Sequence, residues 1–239
     1  MYTEKAGVNQ IVLDSAADFK AVARNIAFSF ALYTGQMCTA PQNVYIPRDG
    51  IDSSDGHLSF DQVAQGLGKA VQKLVSDPAR AVEILGAVVN DGVAARIDAA
   101  RALGSIVIDS QVITHPQFPA ARIRTPLIVK LDARDEAKYL KEWFGPIAFV
   151  IATDSTAQSL AIARRAVKEY GALTLSLYST DAHVIDDAVA IAEDAGVALS
   201  INLNGGVFVN QSAAFSDYHA LRMRARGRDR THGATRHPR

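Results

Sequence analysis

Short apolar runs alternate with longer amphipathic stretches almost from end to end of this 239-residue chain. Runs of strand length stand at residues 8–13, Asn43–Pro47, 106–108, 127–131, 147–152, 173–178 and 197–203, with a last short one at 207–210. Helical spacing fills the gaps. Ser15, with Asp18 three residues on, opens a pattern in which Phe19, Val22, Ala23, Ile26, Ala27 and Phe30 share a face. Glycine tolerates the left-handed conformation at a helix end, so this helix should stop near Thr34-Gly35. Ser59 begins a second helix carrying Val63, Leu67, Val71 and Leu74, and Asp77-Pro78 breaks it and starts another. Further helices are expected over 90–103, 157–170 and 182–195. Strands separated by helices of this length cannot pair as hairpins and imply βαβ units. The expected fold is therefore α/β: an open, mostly parallel sheet with flanking helices. No internal repeat is present.

Composition narrows the class. Hydrophobic residues make up 49% of the chain, enough for a sizeable core and too many for a disordered one. A single cysteine excludes a disulfide scaffold. No apolar run reaches the roughly 18 residues that span a bilayer, and the N-terminus lacks the apolar stretch of a signal peptide. A cytoplasmic globular protein, with no membrane partner, is the default expectation. Lys plus Arg and Asp plus Glu are 25 each, but the balance is uneven. Residues 221–239 hold seven Arg and one Asp, a net +6, which leaves −6 for residues 1–220. An acidic body argues against a nucleic-acid-binding surface. The Arg-rich segment has no helical or strand periodicity. It reads as a disordered tail, as a basic arm for an anionic partner, or as an alternate reading frame of GC-rich DNA.

Cys38 is the residue on which chemistry turns. A lone cysteine is most often a small buried hydrophobe. Here it follows a long helix and precedes a strand, within Thr34-Gly35-Gln36-Met37-Cys38-Thr39-Ala40-Pro41-Gln42, where Gly, Thr and Pro indicate a loop. A loop cysteine at a sheet edge suits nucleophilic work, provided that a base or a stabilised thiolate activates it. The six histidines show no metal-ligand spacing, and no metal site is expected. Gly205-Gly206 lacks the pattern of a phosphate loop and reads as a turn.

Gly35-Gln36-Met37-Cys38 resembles the nucleophile motif of aldehyde dehydrogenases, and Glu142-Trp143-Phe144-Gly145-Pro146 resembles that superfamily's E-x-F-G-P signature, about 100 residues on. Glu4 precedes Cys38 by 34 residues, the position of the family's general base, although Thr3-Glu4-Lys5-Ala6-Gly7 departs from the usual wording. Three stretches, TEKAGVNQIVLDS, GQMCTAPQNVYIP and INLNGGVFVNQSAAFSDYHA, are similar to the PaaN-type, ring-opening aldehyde dehydrogenases of phenylacetic acid degradation. The likeness covers residues 2–220, which sets an expected domain of 1–220 and a tail of 221–239.

The resemblance implies the following roles. Cys38 attacks the aldehyde, and hydride passes to NAD or NADP. Glu4 activates the water that hydrolyses the resulting thioester. Glu142 holds the nicotinamide ribose, Phe144 packs beside the nicotinamide, and Trp143 is a core aromatic. Family members run to about twice this length. The resemblance therefore implies the catalytic domain alone, with the Rossmann coenzyme domain and one oxyanion donor absent. Partners would be the aldehyde, a complementary coenzyme-domain chain, or further copies of this chain in a homo-oligomer. A truncated non-catalytic subunit and a cofactor-independent thiol esterase stand as alternatives.

Overall fold

The computed structural model describes residues 7–205 and 208. Glu4, Gly206, the strand expected at 207–210 (Phe208 apart) and the Arg-rich tail lie outside the described residues. In chain order the elements are β1 (Gln10–Leu13), β2 (Ser15–Ala16), α1 (Phe19–Ala31), a 3-10 turn (Leu32–Gly35), β3 (Asn43–Pro47), β4 (Ile51–Ser53), β5 (Gly56–Leu58), α2 (Phe60–Leu74), α3 (Pro78–Ile84), α4 (Asp91–Arg101), β6 (Ser105–Ile108), β7 (Val112–Ile113), β8 (Ile123–Arg124), β9 (Leu127–Asp132), α5 (Glu136–Tyr139), β10 (Ile147–Thr153), α6 (Thr156–Tyr170), β11 (Thr174–Tyr178), α7 (Ala182–Ala195) and β12 (Ala198–Ile201).

Seven strands form the main sheet in the order β12-β11-β1-β3-β10-β9-β6. All neighbours pair parallel except β6, which runs antiparallel to β9 at one edge. The α/β expectation is met. What patterning missed are the pieces too short to show a period: a three-stranded sheet β2-β4-β5 and the β7-β8 ladder.

Alternate strand residues build two cores, as a sheet covered on both faces requires. Ile11, Leu13, Val44, Ile46 and Val150 face α1 and α2 and pack against Ile26, Phe30, Val63 and Leu67. Val12, Tyr45, Phe149, Ile151, Leu175 and Leu177 face the other way, onto Leu160, Ala163 and Ala188 of α6 and α7 and Ile97 of α4. Each fully buried Ile, Leu or Phe side chain stabilises the fold by about 1.5–3 kcal/mol. The strong central strand is β10, buried at all seven positions.

Helix starts follow local chemistry, with one correction. α2 carries the capping box at Ser59, whose amide reaches Gln62 Oε1 (2.8 Å) while Gln62 N–H reaches Ser59 Oγ (3.3 Å). Asp77 and Asn90 cap α3 and α4 through bonds to Ala79 N–H and Gly92 N–H. Ser15, by contrast, does not open α1. The cap is Asp18, which accepts Ala21 N–H at 2.9 Å. Ser15 instead pairs with Asp52 in the small sheet, and its hydroxyl is held by Asp14 and Thr180. A residue already committed to a ladder cannot also adopt cap geometry.

Candidate active site

α1 ends at Ala31, and the chain then turns through three consecutive left-handed residues: Tyr33 (φ 50°), Thr34 (φ 56°) and Gly35 (φ 62°). That conformation costs a non-glycine residue about 1–2 kcal/mol, so the surroundings must hold it. They do so through polar anchors. Thr34, fully buried, donates its hydroxyl to Gly86 O at 2.5 Å, and Gln36 Nε2 donates to Ala87 O at 2.9 Å. The turn delivers Met37 and Cys38 across the amino ends of β1 and β3.

Cys38 is half-buried in the loop, neither a core hydrophobe nor a freely exposed thiol. Its main chain is fixed by Asn9. The Asn9 Nδ2 group donates to Cys38 O (2.8 Å) and Ala40 O (2.9 Å), and its Oδ1 accepts Leu173 N–H (2.9 Å) and Thr174 N–H (3.1 Å). One buried amide therefore joins the cysteine loop to the start of β11.

The Glu142-to-Pro146 segment lies against the same loop, just ahead of β10. Gly35 and Gly145 meet backbone to backbone: a Cβ at Gly35 would fall 2.3 Å from Gly145 O. Only glycine permits that approach, which explains why the cysteine motif contains one. Glu142 is half-buried, and its Oε1 accepts Gly7 N–H at 3.3 Å. Among the described residues its other oxygen accepts no hydrogen bond. Phe144 is half-buried, with its carbonyl taking a bond from Arg96 (3.3 Å). Trp143 is buried, as a core aromatic should be. Its indole N–H donates to Lys138 O at 2.8 Å, and its ring meets Phe149 edge-on at 5.9 Å.

Gln42 ties this segment to β3. Its Oε1 accepts Trp143 N–H (2.7 Å), while Nε2 lies within hydrogen-bond distance of Tyr139 O and Lys141 O (3.0 Å each) and Asn43 Oδ1 (3.1 Å). Together these groups line a small, partly open cleft that includes Gly7, Asn9, Met37, Cys38, Glu142 and Phe144. Cys38, Glu142 and Phe144, distant in sequence, thus share one cleft. Glu4 lies outside the described residues. Asn9 and Gln42 escaped the sequence reading; the only trace of Asn9 there is a polar residue inside a strand-length apolar run.

The aldehyde dehydrogenase family model matches residues 1–216. The chain belongs to the aldehyde dehydrogenase family. It is similar to the crystal structure of an NAD-dependent aldehyde dehydrogenase from Burkholderia multivorans, at 68% identity and a TM-score of 0.88, over 91% of this chain and 39% of that one. Lactaldehyde dehydrogenase of Escherichia coli K12 is 27% identical over 192 residues, 75% of this chain and 35% of that enzyme. A Thermus 1-pyrroline-5-carboxylate dehydrogenase shares the fold at 20% identity, with a TM-score of 0.58, over 87% of this chain and 38% of that one. This aldehyde dehydrogenase chain thus spans between about a third and two fifths of the length of these relatives. Among its described residues no helix is long and apolar enough to cross a membrane.

Proposed function

We propose that this chain carries the thiol chemistry of an aldehyde dehydrogenase that oxidises an aldehyde to a carboxylic acid. The observation that supports this most is the shared cleft of Cys38 and Glu142. The Cys38 thiol loses its proton to solvent, and the thiolate forms a C–S bond to the aldehyde carbon while the carbonyl electron pair moves onto oxygen. Collapse of that oxyanion expels hydride and leaves a thioester on Cys38. NAD or NADP, when bound, supplies the hydride acceptor. The family likeness assigns Glu4 as the base that takes a proton from water. The hydroxide adds to the thioester, the C–S bond breaks, and the acid leaves with the Cys38 thiol restored.

The chemistry of the groups that line the cleft suits a nicotinamide ribose. Glu142 is oriented by Gly7 N–H through one oxygen and has the other available to accept a ribose hydroxyl. The half-buried Phe144 offers an apolar edge beside it. The stretches around residues 3–15, 35–47 and 201–220 resemble the phenylacetic-acid-degradation branch, so the substrate we propose is a semialdehyde from aromatic-ring breakdown. The compartment is the cytoplasm, and the active assembly is a homo-oligomer.

Two assays test this. Aldehyde-dependent formation of reduced nicotinamide is measured with the chain alone and with a relative's coenzyme domain added, beside Cys38→Ser and Glu142→Gln. Oxidation that needs Cys38 supports the proposal, as does a weaker cofactor dependence in Glu142→Gln. Oxidation that survives Cys38→Ser, or none in a folded reconstituted sample, sinks it. A burst of chromogenic ester cleavage without NAD or NADP, lost in Cys38→Ser, reports a reactive thiolate independently of the cofactor.

A further inference from the structure

We propose that Asn9 and Gln42 are the positioning residues of this cleft: Asn9 holds the Cys38 loop, and Gln42 holds the Glu142 segment, on one shared rung of the sheet. The proposal rests on Cys38 and Glu142 being the working groups, but it concerns what keeps them in register. A primary amide has two donor hydrogens and two acceptor sites. Asn9 uses all four, two on the cysteine loop and two on the entrance to β11. Gln42 spends its acceptor on Trp143 N–H, just after Glu142, and directs its donors to the carbonyls of Tyr139 and Lys141, just before it, across about a hundred residues of sequence.

The two amides are also linked through the main chain. Asn9 O accepts Gln42 N–H (3.1 Å) and Asn43 N–H (3.2 Å), and Gln42 O accepts Phe149 N–H (2.8 Å). The Cys38 loop is therefore indexed to β11 and β1, and the Glu142 segment to β3 and β10. Both side chains are nearly inaccessible to solvent, with 2% and 5% exposure. Bonds in that environment are held against little competition from water, and losing one leaves a backbone carbonyl without a partner. Neither residue lies where it would bond a reacting atom. Apart from Asn43 Oδ1 beside Gln42, their partners are backbone groups, so they act through Cys38 and Glu142.

Asn9→Asp and Gln42→Glu isolate this role. Each keeps the acceptor oxygen, toward Leu173 and Thr174 or toward Trp143, and replaces the donating NH₂ with oxygen. The readout is alkylation of Cys38 by a small reagent, iodoacetamide, and by a bulky maleimide, expressed as the bulky-to-small rate ratio. The narrow cleft disfavours the bulky reagent, so freeing either wall raises the ratio. We expect a rise of about tenfold in each variant, the effect of roughly 1.4 kcal/mol of lost closure. Ser176→Ala is the control, because it removes a buried bond (Ser176 Oγ to Ser200 Oγ, 2.7 Å) away from the cleft. It should leave the ratio within about twofold, since a distant, independent site does not couple to the cleft.

A wild-type ratio in both folded variants overturns the proposal, and so does an equal rise in Ser176→Ala. Should the variants fail to fold, hydrogen exchange of the unsubstituted chain settles the matter. The Leu173, Thr174 and Trp143 amides should be protected to the level of the β10 amides, and exchange at the rate of open loops overturns it. Alkylation needs neither aldehyde nor cofactor. Failure of the dehydrogenase reading with the ratios as expected would leave the positioning role intact, and the converse would leave the activity intact.

Discussion

Replacing Gly35 with alanine should destabilise the chain by two separable effects. Gly35 has φ 62°, and a side chain there costs about 1–2 kcal/mol in backbone strain. The added Cβ would also lie 2.3 Å from Gly145 O, 2.8 Å from Gly145 C and 3.1 Å from Pro146 Cα. Those are backbone atoms, and Gly145 O is engaged by Ile147 N–H at 2.8 Å at the head of β10. The segment must shift as a unit, an overpacking cost of about 1–3 kcal/mol. Gly196 supplies the comparison, because it has φ 67° and nothing within 4 Å of its Cβ position. Gly196→Ala should show the strain alone. Gly→Ala also stiffens the unfolded chain, but that term is common to both and cancels in the difference. Urea unfolding of the two variants should therefore place Gly35→Ala below Gly196→Ala by about 1–3 kcal/mol. At this chain length that is a gap of roughly 2–4 °C in Tm per kcal/mol. Equal stability of the two variants would refute the claim that the cysteine loop and the Glu142 segment are locked backbone to backbone.

Tyr33 is 57% exposed in a left-handed conformation, so Tyr33→Asn should raise stability by about 0.5–1 kcal/mol in thermal unfolding. Phe149→Ala empties a fully buried site between β3 and β9 and should lose about 3–5 kcal/mol in urea titration. Arg134, through side-chain and backbone bonds, and then Arg48 hold the Asp132 carboxyl well below the usual carboxylate range. A depressed pKa contributes stability above the unfolded value near 3.8, lost as pH falls through the folded one. The Tm difference between wild type and Asp132→Asn should thus be flat near neutrality and shrink in acid. His57 is shifted the other way, chiefly by its bond to Asp52 and then by Asp49 O. Its small contribution is present below about pH 6.5 and fades as pH rises through the folded value, so His57→Gln should narrow toward wild type on the alkaline side.

Legibility followed the range of the physics. Ser59, Asp77-Pro78 and Asn90 could be read as helix starts because a cap satisfies amides two or three residues away. Cys38, Glu142 and Phe144 could be picked out because two short motifs carried them. Ser15 misled, since its competing partners, Asp52 and Thr180, are remote in sequence. Asn9 and Gln42 left almost no trace. A side-chain amide bonds backbone groups of any residue type, at no fixed spacing, and so produces no pattern.

The amino-acid order by itself determined the alternation of strands and helices, the two-faced burial of β1, β3 and β10, and where most helices begin. Each of these depends on periodicity or on neighbours within one turn. Tertiary structure alone decided the strand order, the antiparallel edge at β6 and the placement of the cleft at the amino ends of β1, β3 and β10. In open parallel sheets the carboxyl ends are the usual place for a ligand. Here α1, joining the parallel strands β1 and β3, returns the chain to their amino ends, where the amide of Asn9 and the contact of Gly35 with Gly145 hold the Cys38 loop. Those contacts join segments up to 165 residues apart, and only the folded chain brings them together.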